Sequence, residues 1–586
     1  MKVNNVAPTV NVGGPYSGTP GVAVSFTGTA TDPGTLDTLT YAWTFGDGAT
    51  STAQSPTHAY PAAGTYTVTL KVTDSNGAST SASTTATIAT SASPLNEPLA
   101  HQSNFQYLGA FRVPVAPSNG NSFSYGGEAL TYNPVNNSLF VVGQNQMVTE
   151  ISIPQSIVNS TNLSDLSTAS YLQPFASILP KLPSNPAGAG QIGGLMVVNG
   201  KLVGTAYVYY DASGSATTSH FVLSSLNLST AQVSGLYQIG NLGGGLAGGY
   251  MGAIPSEWQS LMGAPYMTGQ ADIPIISRTS AGPAAFGFDP TTLGSGNTPA
   301  TTYVYYPSPD TTALGPYQYA IDPLQNASTQ VNGVVMVPGT RSVVFFGVTG
   351  ANYEGYGLPS EYGDTNNGSK GPHSLNGEYA FQAWAYDAKD LLAVKQGTLQ
   401  PWQVQPYDVW NFDFPHTEGN PGIGGVAFDP ATNRLYVSII NADNAQAFSA
   451  LPLIEVFQLT PNPTTTGPIR PEIGLLAVTP TNIAPGPIAS GTPVTLTAAN
   501  VYAISSGTSV TQVAFYLDTN KDGILEPSTD TLLGYGTPST IPNAGHNYVL
   551  SMSTSNLASG TYTVFAQALD SAGVLSNPFA KTFTIQ

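Results

Sequence analysis

The sequence contains no cysteine and very little charge: 14 Lys or Arg and 32 Asp or Glu among 586 residues, 8% of the chain, where a soluble domain carries about 25%. Without cysteine there is no disulfide framework, no thiolate metal site and no thiol nucleophile. Stability must come from packed cores and bound ions. The formal charge of −18 and the scarcity of basic residues exclude nucleic acid and anionic membrane surfaces as partners, because phosphate contacts need clustered Lys and Arg. No apolar run reaches the roughly 18 residues that span a bilayer, and the glycines show no three-residue period, which excludes collagen. Common reaction motifs are also missing: there is no G-x-S-x-G elbow, H-E-x-x-H pair, Walker loop or helix-opening G-x-G-x-x-G. Met1-Lys2-Val3-Asn4-Asn5 leads straight into domain-like sequence, the expectation where a secretory leader has been removed.

What is present is apolar and turn-rich. Hydrophobic residues make up 41% of the chain and aromatics 10%, with 31 Tyr, 63 Gly and 47 Pro, too apolar for a disordered protein. Several domains of about 100–200 residues are expected at this length. Residues 8–88 alternate apolar and polar positions in short runs, the pattern of half-buried strands. In Thr65-Tyr66-Thr67-Val68-Thr69-Leu70-Lys71-Val72 the even positions face a core. The far end repeats the arrangement: Gly64-Thr65-Tyr66-Thr67-Val68 leads to Asp74-Ser75-Asn76-Gly77, and Gly560-Thr561-Tyr562-Thr563-Val564 leads to Asp570-Ser571-Ala572-Gly573. Both ends therefore read as β-sandwiches.

Tyr41-Ala42-Trp43-Thr44-Phe45-Gly46-Asp47-Gly48, Pro56-Thr57-His58-Ala59-Tyr60, Gly64 to Val68 and Val72-Thr73-Asp74 occur in that order, and the first region resembles a polycystic-kidney-disease (PKD) domain, an immunoglobulin-like sandwich. The resemblance implies that Trp43 fills the core, that Gly46-Asp47-Gly48 makes a tight turn and that His58 is structural. It also implies an extracellular or cell-surface location, since such domains serve there as spacers or polymer-contacting modules. The last region looks like a bacterial immunoglobulin-like domain. The domains expected are a PKD-like sandwich at 1–90, a linker at 91–103, a central domain at 104–459, a Pro/Thr linker at 460–473 and a second sandwich at 474–586.

The centre carries hairpin-like units. Gly126-Gly127-Glu128-Ala129-Leu130-Thr131-Tyr132-Asn133-Pro134 runs into Ser138 to Gly143, and Gly424-Gly425-Val426-Ala427-Phe428-Asp429-Pro430 runs into Arg434 to Ser438. Each reads as strand, Asx-Pro turn, strand. Weaker versions lie at 193–207, 281–293 and 331–348. The doubled Tyr207-Val208-Tyr209-Tyr210 and Tyr303-Val304-Tyr305-Tyr306 read as repeated strands, and 255–262 as a short helix. Repeated hairpins in an all-β chain suggest a β-propeller of five to seven blades; a β-sandwich or β-helix is the alternative.

Asp518-Thr519-Asn520-Lys521-Asp522-Gly523-Ile524-Leu525-Glu526 resembles the start of an EF-hand calcium loop: Asp518, Asn520 and Asp522 offer oxygens, Ile524 its carbonyl and Glu526 a further acid. Thr529 stands where a bidentate acid is expected, and Asp530 follows. Structural Ca2+ is the expected cofactor, against an Asp/Asn/Gly turn that needs no ion. The central region holds only Arg112, Arg278, Arg341 and Arg434 as arginines, which disfavours polyanionic substrates. A neutral glycan fits better, since sugar faces stack on aromatic rings. Candidate contacts are Tyr353, Glu354, Tyr356, Glu361 and Tyr362 in one loop, and Trp410 in Tyr407-Asp408-Val409-Trp410-Asn411-Phe412-Asp413. Asp408, Asp413, His416 and Glu418 are weak catalytic candidates, because glycoside hydrolysis needs paired acids; the competing reading makes Trp410 and Phe412 core and the others ordinary structural residues.

These features point to a non-enzymatic extracellular surface, matrix or filament component that self-associates or binds neutral polysaccharide. The alternative is a secreted carbohydrate-active enzyme with its site in the central domain and end domains for targeting.

Overall fold

Side chains of period two govern the N-terminal strands: across Gly64–Thr73, Val68, Leu70 and Val72 are buried while Thr67 and Lys71 are exposed. The computed structural model describes the chain apart from residues 1–4, 19–20, 22, 35–36, 89–92, 212, 271–279, 308–311, 316–323, 351–353, 357–371, 375–378, 413, 417–421, 447–448, 461–470, 481–487, 504–507, 522, 524 and 540–546. The described chain is built mainly from β-strands and divides into two compact units, Met1–Glu97 and Pro98–Gln586.

In the first unit a five-stranded sheet runs in the order Tyr16–Gly18, Ser79–Ile88, Gly64–Thr73, Thr40–Thr44, Thr50–Ser51. Trp43 is fully buried with Phe26, Phe45 and Tyr60. Gly46 and Gly48 hold φ of +84° and +97°, the left-handed backbone that the turn requires. His58 stacks on Phe45 at 4.4 Å, and its Nε2 lies 2.7 Å from the Asp47 carboxylate.

The second unit contains five four-stranded antiparallel sheets in chain order. Sheet I is Leu130–Asn133, Ser138–Val142, Met147–Ser152 and Tyr171–Ser177; sheet II is Gln191–Val198, Lys201–Tyr207, His220–Leu223 and Val233–Tyr237. Sheet III is Met251–Ala253, Tyr266–Thr268, Ala285–Phe288 and Thr301–Val304; sheet IV is Gln330–Met336, Ser342–Gly350, Tyr379–Asp387 and Asp408–Phe412. Sheet V takes Gly422–Asp429, Arg434–Gln446 and Ser449–Leu459 from the C-terminal side and Phe105–Arg112 from the N-terminal side. The first strands of I to V pack against one another in order, and that of V packs against that of I. The cycle is closed by packing between separate sheets, without a continuous hydrogen-bonded barrel.

Sheet I is buried on both faces. Leu139 and Val141 join the core shared with sheet V, while Phe140 and Val142 join the core shared with sheet II. This is why 139–142 reads as an unbroken apolar run. The Asx-Pro turns form as expected: Asn133 Oδ1 accepts from Val135 N and Asp429 Oδ1 from Ala431 N. A helix at Ser256–Met262 is also present.

Three expectations are corrected. The unit at 281–293 holds a single strand, Ala285–Phe288, the third of sheet III; Asp289-Pro290 follows it and caps a 3-10 turn, with Asp289 accepting from Thr291 N, and the antiparallel partner comes only at Thr301–Val304. The doubled tyrosines are not equivalent strands either, since Tyr207 ends the second strand of sheet II and Tyr303 lies in the fourth of sheet III. Residues 98–103, expected as linker, are docked on sheet IV: Ala100 is buried, its N donates to Ser342 Oγ, and its carbonyl accepts from Tyr407 Oη.

After sheet V come two further four-stranded sheets around one core that includes Leu496, Phe515, Val564 and Ile585. The sequence repeat between the chain ends has a structural counterpart. Tyr66 Oη donates to Ala62 O (2.8 Å) and Tyr562 Oη to Ala558 O (2.9 Å). Asp74 accepts from Asn76 N and Ala78 N, as Asp570 does from Ala572 N and Val574 N.

Glycine sets how closely the first strands approach. A Cβ on Gly193 would lie 2.1 Å from Gly248 O, and one on Gly424 would lie 1.9 Å from Gly127 O. Gly424→Ala should therefore cost about 1–3 kcal/mol by overpacking. Gly190→Ala, whose Cβ would meet nothing nearer than 3.8 Å, should cost nothing; urea denaturation of both variants checks the contrast.

Candidate functional site

Antiparallel meanders place the connection from second to third strand, and the exit of the fourth, at the end where the first strand begins. This leading end of the five sheets is where rigid strands present variable segments. Its shape is set by one extra residue in the first strand. Register skips Gly193 between Ile192 and Gly194, Asn332 between Val331 and Gly333, and Gly424 between Ile423 and Gly425. In sheet I, Gly127 N donates to Val142 O and Val142 N to Ala129 O, so Glu128 is the corresponding bulged residue. These residues are directed at the next first strand or the residues just before it: Gly193 faces Gly248 O, Asn332 Nδ2 donates to Ile423 O (2.8 Å), and Gly424 faces Gly127 O.

Glu128 is thus an acid in a place where its counterparts are Gly and Asn. It is half-buried, and its Oε2 is shut off from solvent without a partner among the described residues. Desolvation pushes its carboxyl up to about 7. Around this end stand three exposed tyrosines. Tyr209 (59% exposed) and Tyr210 (63%) directly follow the second strand of sheet II. Tyr125 (65%) is held by its N donating to Ala450 O at the start of the third strand of sheet V. In the sequence Glu128 stands out only as part of a hairpin, and Tyr125 does not stand out at all. The signal available was an acid in a Gly-Gly run whose sibling at 424–425 carries glycine.

The candidates named from sequence fall elsewhere. Trp410 is 1% exposed and edged by Phe105 and Phe412 in the core between sheets IV and V. It presents no ring face to a sugar. Asp408 is buried, with its Oδ2 2.8 Å from His101 Nδ1, and anchors the docked 98–103 segment. His416 is buried with Nε2 2.8 Å from Ser160 O. Asp408 and His416 therefore serve structure, as Trp410 does. Asp413, Glu418, Tyr353, Glu361 and Tyr362 lie outside the described residues, as do the side chains of Glu354 and Tyr356, whose backbone forms the strand Glu354–Tyr356. The strand ends flanking those segments, Gly350, Tyr379 and Phe412, lie at the leading end of sheet IV.

In the C-terminal loop Asp518 accepts from Lys521 N (2.7 Å) and Gly523 N (3.0 Å), and Asp530 from Thr519 N and Glu526 N. Glu526 accepts from Asn520 Nδ2 and Thr529 Oγ1. Asp522 and Ile524 are outside the described residues. Among the described residues no group of three or more His, Asp or Glu gathers as a metal site.

Two buried acids show how the sheets treat charge. Burial opposes ionisation of Glu150, but hydrogen bonds from Ser138, Gln173, Asn136 and Asn133 outweigh it and hold its carboxyl below the ordinary value. Glu455 has one donor, Tyr107 Oη at 2.6 Å, and desolvation raises it to about 7.

The sequence profile of the PKD domain matches residues 5–89. Residues 5–89 are a PKD domain. Collagenase ColA of Bacillus cereus is 43% identical over 79 residues, 14% of this chain and 8% of the collagenase. A microbial collagenase of Vibrio alginolyticus is 40% identical over 88 residues, 15% of this chain and 11% of that one. The chain thus spans about a tenth of the collagenases' length, and they match its PKD region alone. The PKD1 domain of Vibrio anguillarum Epp is 34% identical, covering 15% of this chain and 99% of that domain, with a TM-score of 0.13. No described helix is long and apolar enough to cross a membrane.

The raised acid has a consequence for stability. Between its ordinary value of 4.5 and about 7 the folded protein keeps a proton on Glu455 that the unfolded chain releases, so raising pH across this window favours unfolding. The shift corresponds to about 3 kcal/mol. Glu128, raised to about 7 by the same desolvation, adds to this loss, while buried His220, pushed down to about 3, opposes it below its ordinary value of 6.5; the melting temperature should fall from pH 5 to pH 8, and Glu455→Gln should lessen that decline without abolishing it in thermal scans.

Proposed function

We propose that the chain is a modular, non-enzymatic extracellular protein that binds neutral polysaccharide as a surface, matrix or filament component. In this reading residues 104–459 form a five-bladed β-propeller, the number of blades following the five sheets with cyclically packed first strands. Residues 1–90 are the PKD domain, followed by a linker at 91–97; the immunoglobulin-like sandwich expected at 474–586 after a linker at 460–473 begins earlier, with the strand Glu472–Pro480, whose Ile473 is buried in its core. The observation that carries the glycan reading is the set of exposed tyrosines, Tyr125, Tyr209 and Tyr210, at one end of the cycle. Aromatic faces with a polar tip suit sugar rings, which offer apolar C–H faces rimmed by hydroxyls. The PKD domain supports contact with polymer, since the proteins sharing it by sequence are named as collagenases.

The alternative, glycoside cleavage in the propeller, needs two carboxylates about 5–9 Å apart. Of the bulged leading positions in sheets I, II, IV and V only Glu128 is acidic, which favours binding over cleavage. In affinity electrophoresis the full chain should be retarded by at least one neutral polysaccharide. A Tyr209→Ala/Tyr210→Ala variant should lose about 1–3 kcal/mol of binding, by analogy with other aromatic stacking. Absence of retardation on every neutral polymer tried would end the reading.

The loop at 518–530 is proposed to bind structural Ca2+ through Asp518, Asn520, Asp522, Glu526, Asp530 and the Ile524 carbonyl. An oxygen-rich loop with buried Asp518 and Asp530 suits this hard cation. Calcium should raise the melting temperature of the full chain, and Asp518→Asn should abolish the rise. A scan unchanged by millimolar calcium would remove the ion from this account.

A further inference from the structure

The repeat between the chain ends keeps its core residues and changes the residues that face away. It aligns Thr69, Lys71 and Thr73 with Phe565, Gln567 and Leu569. Both sets point outward, because Val68, Leu70 and Val72 in one strand and Val564, Ala566 and Ala568 in the other enter the cores. The outer face of the C-terminal sheet is thus apolar where its PKD counterpart carries hydroxyls and a charge. In this sheet the strands run in the order Thr531–Tyr535, Val510–Leu517, Gly560–Asp570, Phe579–Ile585. Register sets the neighbours on the outer face: Tyr516 lies between Leu532 and Phe565, and Ala514 between Tyr535 and Gln567. The register skips Leu533, which packs on the core, and this bulge leaves both Leu532 and Tyr535 outward. Leu575, bridged to Leu569, extends the same face. Phe565 is itself buried, while Leu532, Tyr535 and Leu575 are each about half exposed (43–51%). Tyr516 is half-buried, and desolvation, followed by the adjacent Tyr535 phenol, pushes its hydroxyl up.

We propose that Tyr516, Leu532 and Tyr535 form a second contact site for neutral polysaccharide, on the outer face of the C-terminal sandwich and separate from the tyrosines of sheets I and II. This rests on the glycan-binding reading above and adds that one chain holds the polymer at two places. The area available favours a polymer strand over another copy of the protein. Three half-exposed side chains of this size offer roughly 300 Å², whereas a stable protein partner covers about 800 Å² on each side. Charge points the same way. The two charged residues of these strands, Asp570 and Lys581, have the parity of the core: Asp570 is buried, and Lys581 lies opposite Val564. In the adjoining loop Lys521 Nζ sits 5.0 Å from the centroid of the Tyr562 ring, which packs on the core side. The outward strand positions are uncharged, and Thr563 and Thr582 form the next outward pair beside Phe565 and Ala580. Aromatic and aliphatic groups rimmed by hydroxyls match a sugar ring, with its C–H face and polar edge. A second site makes part of the binding intramolecular, so each site strengthens the other's hold on a long polymer.

The test uses affinity electrophoresis of the full chain in a soluble β-glucan, a mannan and a dextran. Leu532→Ser/Tyr535→Ser alters two half-exposed side chains, so its melting temperature should stay within about 2 °C of the parent's, while retardation by the polysaccharide weakens at least fivefold. Tyr535→Trp, which keeps a ring at that position, should retain binding to within fivefold. If the double variant binds to within fivefold of the parent while Tyr209→Ala/Tyr210→Ala loses binding, this face is wrong and the glycan reading stands. If the parent binds none of the three polymers, both are overturned. If binding falls only together with the melting temperature, or falls as far in Tyr535→Trp, the residues serve packing and the site is again wrong. If the double variant changes the sedimentation of the protein but not its retardation, the face joins copies of the chain and the proposal is overturned.

Discussion

The close approach of the first strands to one another is the constraint on which the second unit depends. At Gly193 and Gly424 a neighbouring carbonyl lies where any Cβ would go, so the inner edges of these sheets meet through backbone. Elsewhere along the approach a valine of one first strand sits over a glycine of the next, Val426 over Gly333 and Val334 over Gly252, and most other large apolar side chains lie in the spaces between sheets. Those spaces hold the cores: one joins sheet I to V, one I to II, and one IV to V. The extra residue that forms the bulge lies in the same short stretch of each strand and turns one position per sheet toward its neighbour. Scaffold and candidate site thus arise from one device, in which a place normally held by Gly or Asn is given to Glu128 in a single sheet.

Closing the cycle depends on a pairing across most of the unit. Phe105–Arg112 pairs with Ser449–Leu459, so the beginning and end of the domain complete sheet V together. Around this seam the structure concentrates its buried charge: Arg112 with Asp443, Tyr107 with Glu455, and His101 with Asp408. These pairs use several of the few charged residues in the chain. They also explain why Asp408, which looked catalytic, is structural, because a carboxylate inside stacked sheets requires a donor and this one is matched with His101 from a distant segment.

The local chemistry was legible in the sequence. Asx-Pro turns at 133–134 and 429–430, the short helix and the alternation of the N-terminal strands follow from side chains within a few residues of one another. So did the likeness of the two chain ends, to which the structure adds the matching Tyr66 and Tyr562 hydroxyl bonds. Asp289-Pro290 shows where local reading fails: its turn chemistry is the same, and only pairing with Tyr266–Thr268 makes Ala285–Phe288 a third strand. Trp410 likewise has the composition of a sugar platform, and burial alone assigns it to the core.

Sequence by itself determined an all-β chain, the PKD domain at its start and, with no cysteine, the absence of disulfide and thiol chemistry, because these rest on composition and short-range pattern. Tertiary structure alone decided that the central strands make five sheets and that Phe105–Arg112 belongs with strands more than 300 residues away. It alone set Tyr125 of sheet I and Tyr209 and Tyr210 of sheet II at one end of the cycle and left a Glu128 oxygen without a partner among the described residues. Strand pairing at long range and the dryness of a side chain are properties of the packed whole, and no window of sequence contains them.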